Sequence, residues 1–262
     1  MKSLIIYIIS ILPEYCLSKI ENLFSIAQGK GYSNAKRETN LISDFLKKKN
    51  INPKIILDIG AYRGGYTDGL FCYFPLANYY LFEPDVTNYK FLTKKYSNIN
   101  NVKVFDYAIS DKNDFSTFYS YAEGSIQGSL VDQNFDYLNQ LNNPNQKLLN
   151  RVKCKRIDDF NQFFNLSQID FVKLDIEGNE MKAFEGMGEY LKKIKVIQFE
   201  FGEPSIDSRN FFTDFYFYLL KNNFTIYRLT PSRLQKILSY KTTHEHFRVT
   251  NFVALNNDYN LL

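Results

Sequence analysis

The stretch Lys54–Gly65, KIILDIGAYRGG, constrains the fold of this chain more than any other. Ile55, Ile56, Leu57 and Ile59 make a short continuous apolar run, as in a strand buried on both faces of a parallel sheet. Gly60, Gly64 and Gly65 follow at once. Residues without a Cβ let the backbone turn tightly and approach a ligand closely. A strand, a glycine turn and a helix start in that order make a nucleotide-type site. The spacing is G-x-x-x-G-G and not the dinucleotide G-x-G-x-x-G, which lowers the odds on an NAD or FAD enzyme. A second apolar strand, Tyr79-Tyr80-Leu81-Phe82, ends in Glu83. An acid roughly 20 residues beyond such a turn is placed to accept hydrogen bonds from ribose hydroxyls.

From Pro53 onward, strands and helices alternate, which predicts a parallel sheet with crossover helices. We read core strands at 54–59, 78–82, 102–109, 169–174 and 196–201, and two last strands at 225–229 and 251–255. An accessory strand over 115–121 and an edge strand over 152–157 lie between them. Helices are expected near 65–74, 85–96 with Asp85 as N-cap, 179–193 and 210–220. The Asn-, Gln- and Gly-rich segment 124–146 reads as a loop with a short helix, and connections that long are more often functional than idle. Residues 1–52 read as an N-terminal helical extension packed on a sheet domain that spans 53–262.

The two charge signs are interspersed and the net charge is only +4, so nucleic acid is not implied as a partner. Three scattered cysteines, Cys16, Cys72 and Cys154, form no C-x-x-C and favour a reducing, cytoplasmic compartment with free thiols. The apolar run Leu4–Leu12, stopped by Pro13, is shorter than the roughly 20 residues that span a bilayer. No small-x-small cleavage site follows it closely, so we read a packed or membrane-skimming helix, with peripheral contact at the inner face of the membrane, and a cleaved signal as the alternative.

In an open α/β sheet the ligand lies at the carboxyl ends of the strands. Those ends carry Asp58, Gly60 and Arg63, then Glu83, then Ala108 and Ser110, then Asp175 and Glu177, then Glu200 and Glu203. Asp175-x-Glu177-Gly178 has a second reading as a cap for the helix that follows. Apolar strands that end again and again in acids are hard to explain by capping alone. Buried like charges repel, so a cationic or polyhydroxyl ligand is their natural complement.

The series LDIGAYRGGYT, LFEPD, YAISD, GSIQGSL, IDFVKLDIEGNE and VIQFEF resembles the FkbM family of S-adenosylmethionine-dependent methyltransferases. The resemblance covers Ile55 to Phe201 in order, and the C-terminal NFVA weakly; KLDIEGNE is its most specific block. It implies a class I (Rossmann-like) methyltransferase fold: a doubly wound, seven-stranded sheet whose last strand is antiparallel. It also implies S-adenosylmethionine as cofactor and methyl transfer to an oxygen of a small-molecule or glycan acceptor. Carried over, Asp58, Gly60, Arg63 and Gly64 belong to the turn around the amino-acid end of the cofactor. Glu83 takes the ribose hydroxyls, Ala108 lies by the adenine, and Asp175 faces the methionine part or the acceptor. Tyr62 departs from the family's D-I-G-A-N-x-G, which has Asn there.

An alcohol must lose a proton as it is methylated. The candidate bases are Asp175, Glu177, Glu200, His244 and His246. His244-Glu245-His246 sits in the connection between the last two strands and reads as a base, a metal ligand pair or a polar surface loop. Asp175 and Glu200 end adjacent central strands, where catechol-type O-methyltransferases hold magnesium, so a divalent metal on these two is a further expectation. Two rival functions stay open: a methyltransferase acting on a protein or nucleic-acid nitrogen, and a non-catalytic cofactor-binding scaffold of a glycan assembly system. Amino-methylases of bases carry N/D-P-P-Y/F where this chain reads Asp175-Ile176-Glu177-Gly178.

Overall fold

A computed structural model describes residues 6–7, 9–133, 147–160 and 168–259. Eight strands form the main sheet. In chain order these are β1 (Ile55–Ile59), β2 (Asn78–Phe82), β3 (Val102–Phe105), β7 (Ile169–Leu174), β8 (Ile194–Phe201), β9 (Phe224–Leu229), β10 (Leu234–Lys236) and β11 (Thr250–Asn256). Their order across the sheet is β10-β9-β11-β8-β7-β1-β2-β3. β3, β2, β1, β7 and β8 run parallel, and β11 inserts antiparallel between β8 and β9. The seven expected strands and the antiparallel last one are therefore present. The eighth, β10, is a three-residue edge strand folded back on β9 through a turn closed by Thr230 N–H donating to the Arg233 carbonyl.

The expected strand over 102–109 divides. Glu83 N–H donates to the Phe105 carbonyl at 3.0 Å, and Pro84, which has no N–H, then turns the neighbouring chain away. Past that point the strand has no partner in the main sheet. Its continuation, β4 (Tyr107–Ile109), pairs instead with β6 (Leu148–Lys155), which pairs antiparallel with β5 (Asp114–Ser120). The helix expected over 179–193 also divides: a helix over Glu180–Met187 gives way at Gly188, φ +49°, to a 3-10 turn over Gly188–Lys193.

Helices cover both faces of the main sheet. On one side, Ala183, Phe184, Met187, Phe212, Phe215 and Leu219 pack against Leu57, Val172, Ile197 and Phe252. On the other, α2 (Ala35–Lys48) buries Ile42, Phe45 and Leu46 against Ile56, Tyr79, Phe171 and Val253. A stripe at i, i+3, i+4 is what an amphipathic helix offers to a core. α2 thus shares one core with the sheet. The preceding α1 (Glu14–Ala27) buries no residue, and Ile6, Tyr7, Ile9, Ile11 and Leu12 before it are exposed. Residues 4, 5 and 8 of the N-terminal apolar run, and 134–146 of the long loop, lie outside the described residues. Among the described residues no helix is long and apolar enough to cross a membrane.

Candidate active site

A cavity of 440 Å³ opens at the carboxyl ends of β1, β2, β7 and β8, beside the β1/β7 switch point where the winding of the sheet reverses. Gly60, Ala61, Tyr62, Glu83, Tyr107, Ala108, Asp175, Glu177, Asn179 and Glu200 are on its wall. So are Ser33, Ala35 and Glu38 from the start of α2, and Ser125–Leu130 from the loop after β5.

The floor is the turn after β1. Gly60 has φ +81°, and a Cβ there would lie 1.8 Å from the Asp175 carbonyl oxygen, so only glycine lets β1 and β7 run so close at their ends. Tyr62 also has positive φ, +49°. That region favours Asn among non-glycine residues, so the Asn-to-Tyr departure is first of all a matter of backbone conformation. The Tyr62 N–H donates to Glu83 Oε2 at 2.8 Å, and the Asp85 N–H to Glu83 Oε1 at 2.9 Å. Glu83 is 5% exposed, and burial pushes its pKa up to about 7 against the pull of those two N–H groups.

The opposite wall is the turn after β7. Glu180 ties it together: its carboxylate accepts from the Ile176 and Gly178 N–H groups, both at 2.9 Å. The helix that follows has Asn179 at its N-cap and no side-chain cap bond, so Asp175 and Glu177 do not cap it; both line the cavity. Glu177 is held at φ +55°. Its carbonyl accepts from the Ser129 hydroxyl at 2.7 Å and the Gln133 amide at 2.8 Å, which pins the 125–133 segment over the site. Carboxylate oxygens of Asp175, Glu177 and Glu200 lie within 4.8 Å of one another, an all-oxygen set of the kind a divalent cation takes. Burial, and then the charge of Asp175, push Glu177 up to about 8 and raise Glu200 well above the ordinary range.

One cation sits among these acids. Lys173 is 7% exposed, 3.0 Å from Asp175 Oδ2, 4.0 Å from Asp58 Oδ1, and over the Tyr66 ring. Burial disfavours its charge, but Asp175 and Asp58 outweigh that and hold it protonated. A basic residue inside the apolar strand IDFVKL was the available signal for it, and the sequence reading passed it by. Glu38 was likewise missed. It accepts from Gln198 Nε2 at 3.0 Å and ties α2 to the cavity wall; Gln198 in turn accepts from the Tyr66 hydroxyl.

The structure brings Gly60, Glu83, Ala108, Asp175, Glu177, Glu200 and Glu203 together on one wall and leaves Asp58, Arg63, Gly64, Ser110, His244 and His246 off it. Asp58 is 1% exposed and lies behind the turn, where its Oδ2 accepts from the Thr67 hydroxyl at 2.6 Å. Gly64, at φ +76°, starts the next helix, and Arg63 packs over the Tyr62 and Phe91 rings. His244 and His246 are drawn away by packing. The His244 ring sits edge-on to Phe212 and Tyr240, with its Nδ1 accepting from the Lys241 N–H at 3.0 Å. Burial, with Lys30 and Arg228 near, pushes His246 down to about 4. His244 ends a 3-10 turn over Thr242–His244 and His246 follows it outside any strand, so the one-face geometry of H-x-H does not form.

Residues 58–226 match the family profile described as the methyltransferase FkbM domain. The chain is 25% identical over 163 residues to the 2-O-methyltransferase NoeI of Sinorhizobium fredii, a match that spans 58% of this chain and 65% of that relative. Among solved structures it is similar to a methyltransferase FkbM from Methylobacillus flagellatus: 18% identity, TM-score 0.47, 78% of this chain and 44% of that one. It is similar too to a putative caffeoyl-CoA O-methyltransferase from Staphylococcus aureus: 11% identity, TM-score 0.47, 98% of each chain.

Proposed function

The chain belongs to the FkbM methyltransferase family, and from that premise we propose that it transfers a methyl group from S-adenosylmethionine to a hydroxyl of a sugar, in a surface glycan or a natural product. One observation carries this reading: a cavity at the switch point whose wall gathers six carboxylates, Glu38, Glu83, Asp175, Glu177, Glu200 and Glu203, around the buried Lys173. Its 440 Å³ falls in the range of roughly 300–1,000 Å³ usual for small-molecule sites. When bound, S-adenosylmethionine supplies an electrophilic methyl on a positively charged sulfur.

Each group of the wall then has a task. Glu83 has a free lone pair on each oxygen beyond those facing Tyr62 and Asp85, enough to accept from two ribose hydroxyls. The Gly60 turn lets the backbone approach the amino-acid end, with Glu38 and Ser33 closing that side. Lys173 stands between Asp58 and Asp175 and offsets part of their mutual repulsion. Glu177, pushed up to about 8, is matched to take the proton an acceptor hydroxyl sheds near neutral pH. The acceptor enters under the 125–130 segment, with Ile126 and Phe118 as apolar surface for sugar C–H groups. The name of the 25%-identical relative, a 2-O-methyltransferase, supports oxygen as the atom methylated.

The test uses S-adenosylmethionine with a deuterated methyl, the purified protein, and surface carbohydrate from cells lacking the gene. Mass spectrometry should find the label on a sugar oxygen. Label on a protein or nucleic-acid nitrogen instead would overturn the acceptor class. Cofactor binding without any transfer would favour the scaffold reading.

A further inference from the structure

The small sheet β4-β6-β5 turns one face inward and one outward. Ala108, Phe118, Val152 and Cys154 cluster on the inner face. On the outer face, Phe115 stands opposite Lys153 and Thr117 opposite Arg151, and all four are exposed. Tyr107 pairs with Lys153 from the other side. At the edge of the main sheet, Lys103 stands opposite Tyr80 in the same way. Successive strand residues alternate faces, so cross-strand neighbours share one. A track of cations and rings results. Lys103 lies 6.0 Å from the Tyr80 ring, Lys153 5.9 Å from Tyr107, and Arg151 4.5 Å from Phe115. The Phe105 and Tyr107 rings, stacked at 6.3 Å, join its two halves.

These cations differ from others in the chain. Lys95, Arg156, Lys173 and Lys195 each have a carboxylate within ion-pair distance. Lys103, Arg151 and Lys153 have none among the described residues. Asp114, the carboxylate of β5, stands opposite buried Cys154, on the other face. Rings beneath the cations hold them in place by cation–π attraction without cancelling their charge. The track also has a direction, because Tyr107 belongs both to it and to the cavity wall.

We propose that this outer face binds an acidic polysaccharide, the polymer that carries the acceptor sugar; the proposal rests on the sugar-hydroxyl reading above. Unpaired cations complement the carboxylate or other anionic groups of such a chain, and the track leads it past Tyr107 to the cavity. A nucleic acid is the poorer fit. Stacking of bases needs open ring faces, and the guanidinium of Arg151 already covers Phe115.

Fluorescence anisotropy of labelled oligogalacturonate, neutral dextran and oligothymidylate on the whole protein tests this. The uronate chain should bind, salt should weaken it, and dextran should not bind. R151E/K153E should lower uronate affinity at least about tenfold, as loss of charged contacts requires. R151Q/K153Q, which only removes charge, should lower it in the same direction. Equal uronate binding by wild type and both variants, no uronate binding at all, or tighter binding of oligothymidylate would overturn the proposal. S-adenosylmethionine titrated into the same samples separates the two readings. Uronate bound without cofactor would leave the surface standing and remove the methyltransferase reading; cofactor bound without uronate would do the reverse.

Discussion

Glu83→Gln should separate the ribose role of this residue from its structural one. Both oxygens of Glu83 already accept a backbone N–H, from Tyr62 and Asp85. Alanine would orphan both donors, and each buried unsatisfied group costs about 1–3 kcal/mol, so loss of binding in that variant would report the turn as much as the ligand. Glutamine keeps the shape and one acceptor, so it leaves one of the two donors without a partner where alanine leaves both. With the pKa of Glu83 at about 7, roughly one tenth of the wild type is ionised there at pH 6 and roughly nine tenths at pH 8. Only the ionised carboxylate accepts freely from two hydroxyls, so S-adenosylmethionine affinity should rise about tenfold over that interval in wild type. In Glu83→Gln it should be about tenfold or more weaker at pH 8, the value of one lost charged hydrogen bond. Titration calorimetry on both proteins from pH 6 to 8 reads this, and titration of the cofactor itself cancels in their ratio. A variant that binds as wild type does at pH 8, or that keeps the wild-type pH slope, would refute the reasoning.

Four further outcomes follow from the same geometry. Lys173→Met should destabilise the fold by about 3 kcal/mol in urea melts, because it leaves the buried Asp58 without a counter-charge beside a partly exposed Asp175, and adding Asp58→Asn should recover part of the loss. Gly60→Ala should cost more than about 3 kcal/mol and abolish cofactor binding in thermal-shift assays, since its Cβ meets the Asp175 carbonyl and φ is +81°. Cofactor-free protein should lose stability as pH rises: Glu83, Glu177 and Glu180 have pKa values raised from 4.5 to about 7, 8 and 7, so the folded state holds protons the unfolded chain has released. That contribution is complete below about pH 4.5 and gone above about pH 8, so denaturant midpoints should fall across that interval. Finally, a cation entering this wall should expel protons near pH 7, so calorimetric heats in phosphate and Tris should differ; equal heats would contradict the acid-rich pocket.

The sheet was legible because its signals are local: an apolar run, a glycine or acid at its end, a helix pattern after it. The site was legible to the extent that fold topology alone creates it. Carboxyl ends of parallel strands meet at one edge, so Gly60, Glu83, Ala108, Asp175, Glu177 and Glu200 were bound to be neighbours once the strands were placed. Direction within that edge was not local. Asp58 and Glu83 each belong to a strand end, yet Asp58 turns back to Thr67 in the following helix while Glu83 turns to the cavity. The histidines lie off the cavity wall for a longer-range reason: Phe212, on the helix before β9, packs against the His244 ring. Glu38 failed in the opposite sense, because a helix that reads as an appendage packs into the central core and delivers a carboxylate to the cavity. Lys173 is the instructive miss. Its neighbours in sequence, Val172 and Leu174, argue for an apolar environment, and its charge is tolerable because Asp175 lies 3.0 Å away and β1 brings Asp58 beside it in register. A charged residue that interrupts a buried strand therefore points to a counter-charge on the adjacent strand, and here that inference leads from Lys173 to the acids of the site without any appeal to motif.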